Sequence, residues 1–148
     1  MNTAMCLNTA DGFLLAAKVL YTSQKNGVAF FKYHISPLTV NSAFACEVYL
    51  KYLYYKQCGT DVKNQHNLLE LYCLLSDETK LQLKSEYEQW TSILPLEECL
   101  QVHSRAFVSW RYIYEDEGGT VEPQSLYNLM VSLHNISHQK EEAQTNAD

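Results

Sequence analysis

The chain has 148 residues, 47% of them hydrophobic and 19% charged, and its formal net charge is −6. This composition predicts one globular domain with a buried core and excludes an intrinsically disordered chain. The negative charge excludes the broad positive field of many nucleic-acid-binding domains, so any RNA contact has to come from a local patch.

Cysteine usage and hydropathy predict the compartment. The five cysteines are an odd number without a C-x-x-C pair, which disfavours both a disulfide framework and a zinc knuckle. We expect them to be small buried residues in a reducing compartment. The N-terminal sequence lacks the basic and long apolar segments of a signal peptide, and no stretch approaches the roughly 18 apolar residues of a membrane span. The sequence therefore predicts a cytoplasmic protein that makes no membrane contact.

The chain contains only 5 glycines and 3 prolines, which favours long helices over many strands and turns. The first predicted helix covers residues 2–24 and ends near Gly27. Asp11 lies beside its apolar stripe and is expected to be capped or solvated at the edge of that face. Residues 28–35 are predicted to be an extended aromatic linker. The stripe repeats every three or four residues: Leu7, Ala10, Leu14, Ala17 and Tyr21.

Three helices are predicted in the middle of the chain. Ser36 is expected to cap the second helix, which runs to about Gln57. A short third helix is expected to start at His66. Ser76 is the predicted N-cap of a fourth helix, whose first turn is acidic. The side chains expected to face inward from the fourth helix are Leu81, Leu83, Tyr87 and Trp90.

The remaining chain is predicted to form two more helices and a tail. The segment from Leu96 to Glu115 has one apolar and aromatic stripe, which predicts a single fifth helix. Pro123 begins the last helix, which becomes polar from His138 onward. We therefore predict an all-α, up-and-down bundle of five to six helices over residues 1–138, followed by a polar, disordered tail over residues 139–148. The fifth-helix stripe is Leu96, Leu100, His103, Phe107, Trp110 and Tyr114.

Familiar catalytic and cofactor motifs are absent from the sequence. It has no Gly-rich phosphate loop, H-E-x-x-H or G-x-S-x-G motif. His134 and His138 are one turn apart on the last predicted helix, but the sequence puts no third ligand near them. His103 lies in the core stripe and is expected to be a satisfied interior histidine. We therefore predict no metal, no cofactor and no catalytic residue.

Three segments nevertheless form an ordered pattern. Residues 45–53 read ACEVYLKYL, residues 66–71 read HNLLEL, and residues 107–115 read FVSWRYIYE. This order resembles the HEPN superfamily of small helical bundles across roughly residues 40–130. The family patterns are A-x-E-x-x-L-K, G-H-d-L-x-x-L and F-x-x-x-R-Y-x-y-E. Two positions depart from them, since Gln65 replaces the usual glycine and Asn67 the usual acid.

The resemblance also bears on catalysis. Ribonucleases of the family carry Arg-x(4–6)-His on the late helix, and the Arg and His of two subunits meet at a dimer interface to activate the RNA 2′-hydroxyl. After Arg111, the corresponding positions hold an acidic pair and a glycine, and after Arg105 they hold no histidine either. The resemblance therefore implies the fold and a binding role, and argues against ribonuclease activity. The positions without histidine are Asp116, Glu117 and Gly118 after Arg111, and Trp110, Arg111 and Tyr112 after Arg105.

Seven polar residues are expected to converge from three helices. They are Glu47, Lys51, His66, Asn67, Arg111, Tyr112 and Glu115. One interpretation is a network that fixes helix register, with Arg111 paired to Glu115 or Glu47. The other is a cleft that binds a nucleotide, a nucleic acid or a protein partner.

The resemblance leads us to expect a homodimeric, non-catalytic HEPN-like module of a bacterial defence or toxin–antitoxin type system. Its expected ligand is a nucleotide, an RNA or a protein partner. Two alternatives stay open. One is a divergent, metal-independent ribonuclease that uses His66, His103 or His134. The other is an interaction protein whose tyrosine-rich faces bind another protein.

Overall fold

The computed structural model describes residues 1–23, 33–115 and 120–145, with side chains to residue 141. Within these ranges the chain is all-helical and has no strand, so the predicted fold class is confirmed. No helix in these ranges has both the length and the apolar character needed to cross a membrane. The helices are α1 (Thr3–Thr22), α2 (Ile35–Cys58), α3 (Leu68–Cys73), α4 (Asp77–Tyr87), α5 (Leu96–Val102), α6 (Ala106–Arg111) and α7 (Pro123–Thr145).

Helix α2 lies at the centre of the bundle, where it contacts α1, α3, α6 and α7. Its buried residues lie around most of its circumference, as expected for a helix with neighbours on several sides. Among them is one carboxylate, Glu47. The buried residues of α2 are Leu38, Thr39, Ser42, Ala43, Ala45, Cys46, Glu47, Tyr49, Leu50, Tyr52 and Leu53.

Side-chain caps fix several helix ends. Ser76 caps α4 as predicted, since its hydroxyl accepts a hydrogen bond from the Thr79 N–H at 3.2 Å. Gly59 ends α2 in the left-handed region, at a φ of +72°. The predicted cap of α2 is wrong: the helix already begins at Ile35, and the Ser36 hydroxyl instead donates to the Trp110 carbonyl at 3.3 Å.

The predicted fifth helix is wrong as a single element, because the chain leaves the helical path between Val102 and Ala106. The buried His103 ring holds this break: its Nδ1–H donates to the Cys99 carbonyl at 2.8 Å, and its Nε2 accepts from the Glu122 N–H at 3.0 Å. The Ser104 carbonyl, which lies in the break, accepts a hydrogen bond from the backbone N–H of Leu68 at 2.8 Å. The break therefore ties α5 and α6 to the starts of α3 and α7.

Other burial predictions had mixed outcomes. The stripe of α7 is confirmed, since all five predicted residues are buried: Leu126, Leu129, Met130, Leu133 and Ile136. Leu81 is 70% exposed, because α4 buries the opposite face. Trp90 and Tyr114 are 42% and 77% exposed, because both lie beyond the ends of their helices. The prediction of buried cysteines holds for Cys46 and Cys99 only.

The segment predicted to be a disordered tail is instead helical through Thr145. Glu141 anchors it, because its carboxylate accepts from the Tyr52 hydroxyl at 2.5 Å and from Lys56 Nζ at 2.9 Å. Residues 146–148 lie outside the described ranges, as do the predicted end of the first helix at Gly27 and most of the predicted linker.

Candidate anion-binding pocket

A pocket of about 540 Å³ opens where the loop before α3 meets the α5–α6 junction and α6. Three of the predicted site residues line it, together with five residues that were not predicted. Seven of the eight lining residues have polar or charged side chains, among them two arginines and one carboxylate, Glu70. The lining residues are Asn64, Gln65, His66, Asn67, Glu70, Arg105, Val108 and Arg111.

Local hydrogen bonds hold the loop side of the pocket. The Gln65 side-chain oxygen accepts from the backbone N–H groups of His66 and Asn67, each at 2.9 Å. Its amide nitrogen donates to the Glu70 carboxylate. Asn67 caps α3 by accepting from the Glu70 N–H at 3.1 Å, so the helix starts after Asn67 and not at His66 as predicted. These bonds hold the backbone from which the His66 side chain extends.

A buried carboxylate orients His66. Glu47 is 2% exposed, and its Oε1 accepts from His66 Nδ1 at 2.9 Å and from Lys51 Nζ at 2.7 Å. The His66 side chain is half exposed, and its Nε2 has no hydrogen-bond partner among the described residues. Since Nδ1 is already held, Nε2 is the nitrogen available to a ligand.

Two arginines supply positive charge. The Arg111 guanidinium lies 5.0 Å from the centre of the Phe107 ring and 4.6 Å from that of Tyr112, within the range of cation–π contacts. In the described ranges, neither Arg105 nor Arg111 forms an ion pair. No carboxylate in these ranges therefore holds either guanidinium.

The predicted pairing of Arg111 with Glu115 or Glu47 is wrong within the described ranges. Glu47 is engaged by Lys51 and His66 instead. The backbone N–H of Glu115 donates to the Tyr112 carbonyl at 2.9 Å, and its carboxylate makes no ion pair with any residue the structure describes. The acidic positions 116–117 lie outside the described ranges.

The structure brings together most of the predicted set. His66, Asn67 and Arg111 line the pocket, Glu47 and Lys51 lie behind His66, and Tyr112 flanks Arg111.

The basic residue of this pocket that was not predicted is Arg105. On one continuous helix, Arg105 and Arg111 would point about 120° apart. The break after Val102 removes that constraint, and both arginines line the same pocket. No sequence signal marked the break, because the apolar period continues across it.

A second cluster of chemically active side chains joins α1 to α7. Asp11 Oδ1 lies 3.1 Å from His134 Nδ1 and 3.1 Å from His138 Nε2. The buried Tyr49 hydroxyl donates to Asp11 Oδ1 at 2.5 Å. Burial, together with the Asp11 carboxylate, raises the pKa of Tyr49, so its phenol stays a donor. The spacing of His134 and His138 was visible in the sequence, but Asp11 lies on a helix more than a hundred residues away.

No protein-family model matches the chain, and neither a curated protein nor a solved structure matches it.

Proposed function

We propose that this chain is a non-catalytic HEPN-like module that binds the phosphate group of a nucleotide or of an RNA in the pocket between α3 and α6. The observation that carries the proposal is the convergence of Arg105 and Arg111, both without an ion pair in the described ranges, beside the free Nε2 of His66. Guanidinium groups bind phosphate through paired, charge-assisted hydrogen bonds.

The size of the pocket favours a nucleotide over free phosphate. A volume of about 540 Å³ falls within the usual range for small-molecule sites. Tyr112 lies outside the pocket lining, where it is 42% exposed and its ring centre is 4.6 Å from the Arg111 guanidinium, so a base that extends past Arg111 meets an aromatic side chain. The pocket also supplies a local positive patch in a chain whose net charge is −6.

The biological setting of this proposal comes from the HEPN resemblance. It includes homodimerisation and a role in a bacterial defence or toxin–antitoxin type system, where the bound partner is an RNA or a protein. Size-exclusion chromatography with light scattering tests for the dimer. The molar mass expected for it is twice the 17.1 kDa of one chain.

One observation favours a second candidate, a divergent metal-independent ribonuclease. Glu47 holds His66 Nδ1 at 2.9 Å, as a carboxylate does when it orients a general base, and His66 lines the same pocket as both arginines. In this reading His66 Nε2 accepts the proton of the RNA 2′-hydroxyl.

One experiment separates the two candidates. A labelled single-stranded RNA is titrated with wild-type protein and with Arg105→Ala, Arg111→Ala and Lys18→Ala, and each mixture is then run on a denaturing gel. Lys18 is exposed and lies outside the pocket, so its variant removes one charge without touching the site. We expect each arginine variant to weaken binding by at least about tenfold and Lys18→Ala to leave it unchanged, with the RNA intact throughout.

Equal affinity of all four proteins, or no saturable binding to RNA or nucleotide, would contradict the proposal. Cleavage that His66→Gln abolishes would establish the ribonuclease instead. Stoichiometric capture of a protein without RNA would point to the interaction role.

A further inference from the structure

The cluster of Asp11, His134 and His138 has the chemistry of a metal site. Two imidazoles and one carboxylate are the ligand set that divalent transition ions accept, and Zn²⁺ uses such sets with three protein ligands. The ligand atoms of all three residues lie within 4.8 Å of one another. The side chains are 29–38% exposed, so an ion can enter from solvent.

The distances agree with coordination as well as with hydrogen bonding. In a tetrahedral site with metal–ligand bonds of about 2.0–2.1 Å, neighbouring ligand atoms are about 3.3 Å apart. Asp11 Oδ1 is 3.1 Å from the nearer nitrogen of each histidine. The ligand atoms of the two histidines lie within 4.8 Å of each other. An ion that binds all three residues therefore draws the two imidazoles together by up to about 1.5 Å and replaces the contact of His134 Nδ1 with the Tyr49 hydroxyl at 3.0 Å.

The backbone and a buried phenol preorganise this arrangement. His134 and His138 are one turn apart on α7, so the helix itself holds both rings on one face. The Tyr49 hydroxyl, on α2, fixes the carboxylate of Asp11 at 2.5 Å. Hydrogen bonds of this kind to a ligating carboxylate commonly strengthen metal binding.

We propose that Asp11, His134 and His138 bind one divalent transition ion, Zn²⁺ in particular, with the fourth position left to water or another ligand. The ion clips α1 to α7, two helices that the intervening chain separates by a hundred residues. This site is separate from the anion pocket, because it shares no residue with it.

The test uses the full chain without a histidine tag, titrated with ZnCl₂ in a calorimeter. We expect saturation at one equivalent. At a free Zn²⁺ concentration about 100 times the Kd, the melting temperature rises by roughly 5–10 °C and returns on adding a chelator.

Variants assign the ligands. His138→Gln and Asp11→Asn each weaken Zn²⁺ binding by more than about tenfold, since losing a ligand costs more than losing a group behind it. His66→Gln, which removes an exposed imidazole outside the cluster, leaves Zn²⁺ affinity unchanged. Far-UV circular dichroism confirms that each variant folds. If Asp11→Asn does not fold, His138→Gln decides, because its ring is 38% exposed.

Cysteine coordination is the competing explanation, because Cys58 and Cys73 are free and exposed. A Co²⁺ titration distinguishes the two: the proposed site gives only weak visible bands, whereas thiolate ligands add an intense near-ultraviolet charge-transfer band. That band would overturn the proposal, and so would the absence of saturable binding or an unchanged affinity in His138→Gln.

Discussion

The His103 side chain makes two hydrogen bonds at the break between α5 and α6, so replacing it tests how much these bonds contribute to the stability of the fold. His103→Phe keeps a ring of similar size but removes both side-chain hydrogen bonds. In this variant the Cys99 carbonyl still accepts a hydrogen bond from the backbone N–H of position 103, which is 3.0 Å away in the wild type. The backbone N–H of Glu122, in contrast, loses its acceptor. A buried donor without a partner costs about 1–3 kcal/mol.

We therefore expect His103→Phe to lower the free energy of unfolding by about 2 kcal/mol. For a domain of this size, that corresponds to a decrease in melting temperature of about 4–8 °C. Urea unfolding followed by circular dichroism measures the first quantity, and a thermal scan measures the second.

The pH dependence of that penalty tests the cause. Burial lowers the pKa of His103 in the folded chain below its ordinary value of 6.5, even though its bond to the Cys99 carbonyl and the nearby Glu122 oppose the shift. Below pH 6.5, the unfolded chain therefore binds a proton that the folded chain does not, and the wild type loses stability as pH falls. His103→Phe lacks this loss, so its penalty relative to wild type shrinks between about pH 8 and about pH 5. A difference in unfolding free energy that stays constant or grows toward acid pH would show that His103 is not held neutral by burial.

Three further predictions concern the frame around the pocket, each measured by urea unfolding. Gly59→Ala lowers the free energy of unfolding by about 1 kcal/mol, because the φ of Gly59 is +72° and the added Cβ meets no other atom. An unchanged free energy would contradict a left-handed residue at the end of α2. Asn67→Ala costs about 1 kcal/mol through the lost cap of α3, and a change within error would show that the cap is dispensable. Glu47→Gln removes the charge that Lys51 and His66 share, and we expect it to lower the free energy of unfolding by about 1–3 kcal/mol. The control is Glu97→Gln, in an exposed ion pair, which lowers it by less than about 1 kcal/mol. Equal losses in the two variants would contradict the buried role of Glu47.

The sequence predicted helices well where local chemistry determines them. The 3.6-residue period of α7 placed five core residues correctly, and Ser76 marked the start of α4 by a cap that operates within four residues. Such signals are local, so a single sequence carries them. The start of α2 was missed because the helix begins without a side-chain cap, at Ile35.

The site was only partly predictable because tertiary contacts determine the rest. At the break between α5 and α6, His103 accepts from the N–H of Glu122, nineteen residues away, and no local pattern shows that bond. Arg105 was left out of the predicted site because, unlike Arg111, it matches no motif of the resembled family. Asp11 meets His134 across 123 residues, and only the packing of α1 beside α7 brings them together.

The most direct test of the proposed function is the salt dependence of RNA binding by wild type and Arg111→Ala. If Arg111 contacts a phosphate, its removal weakens binding at every salt concentration and makes the slope of log K against log salt shallower by about 0.7 for a single strand. An Arg111→Ala protein with the affinity and slope of wild type would contradict the account.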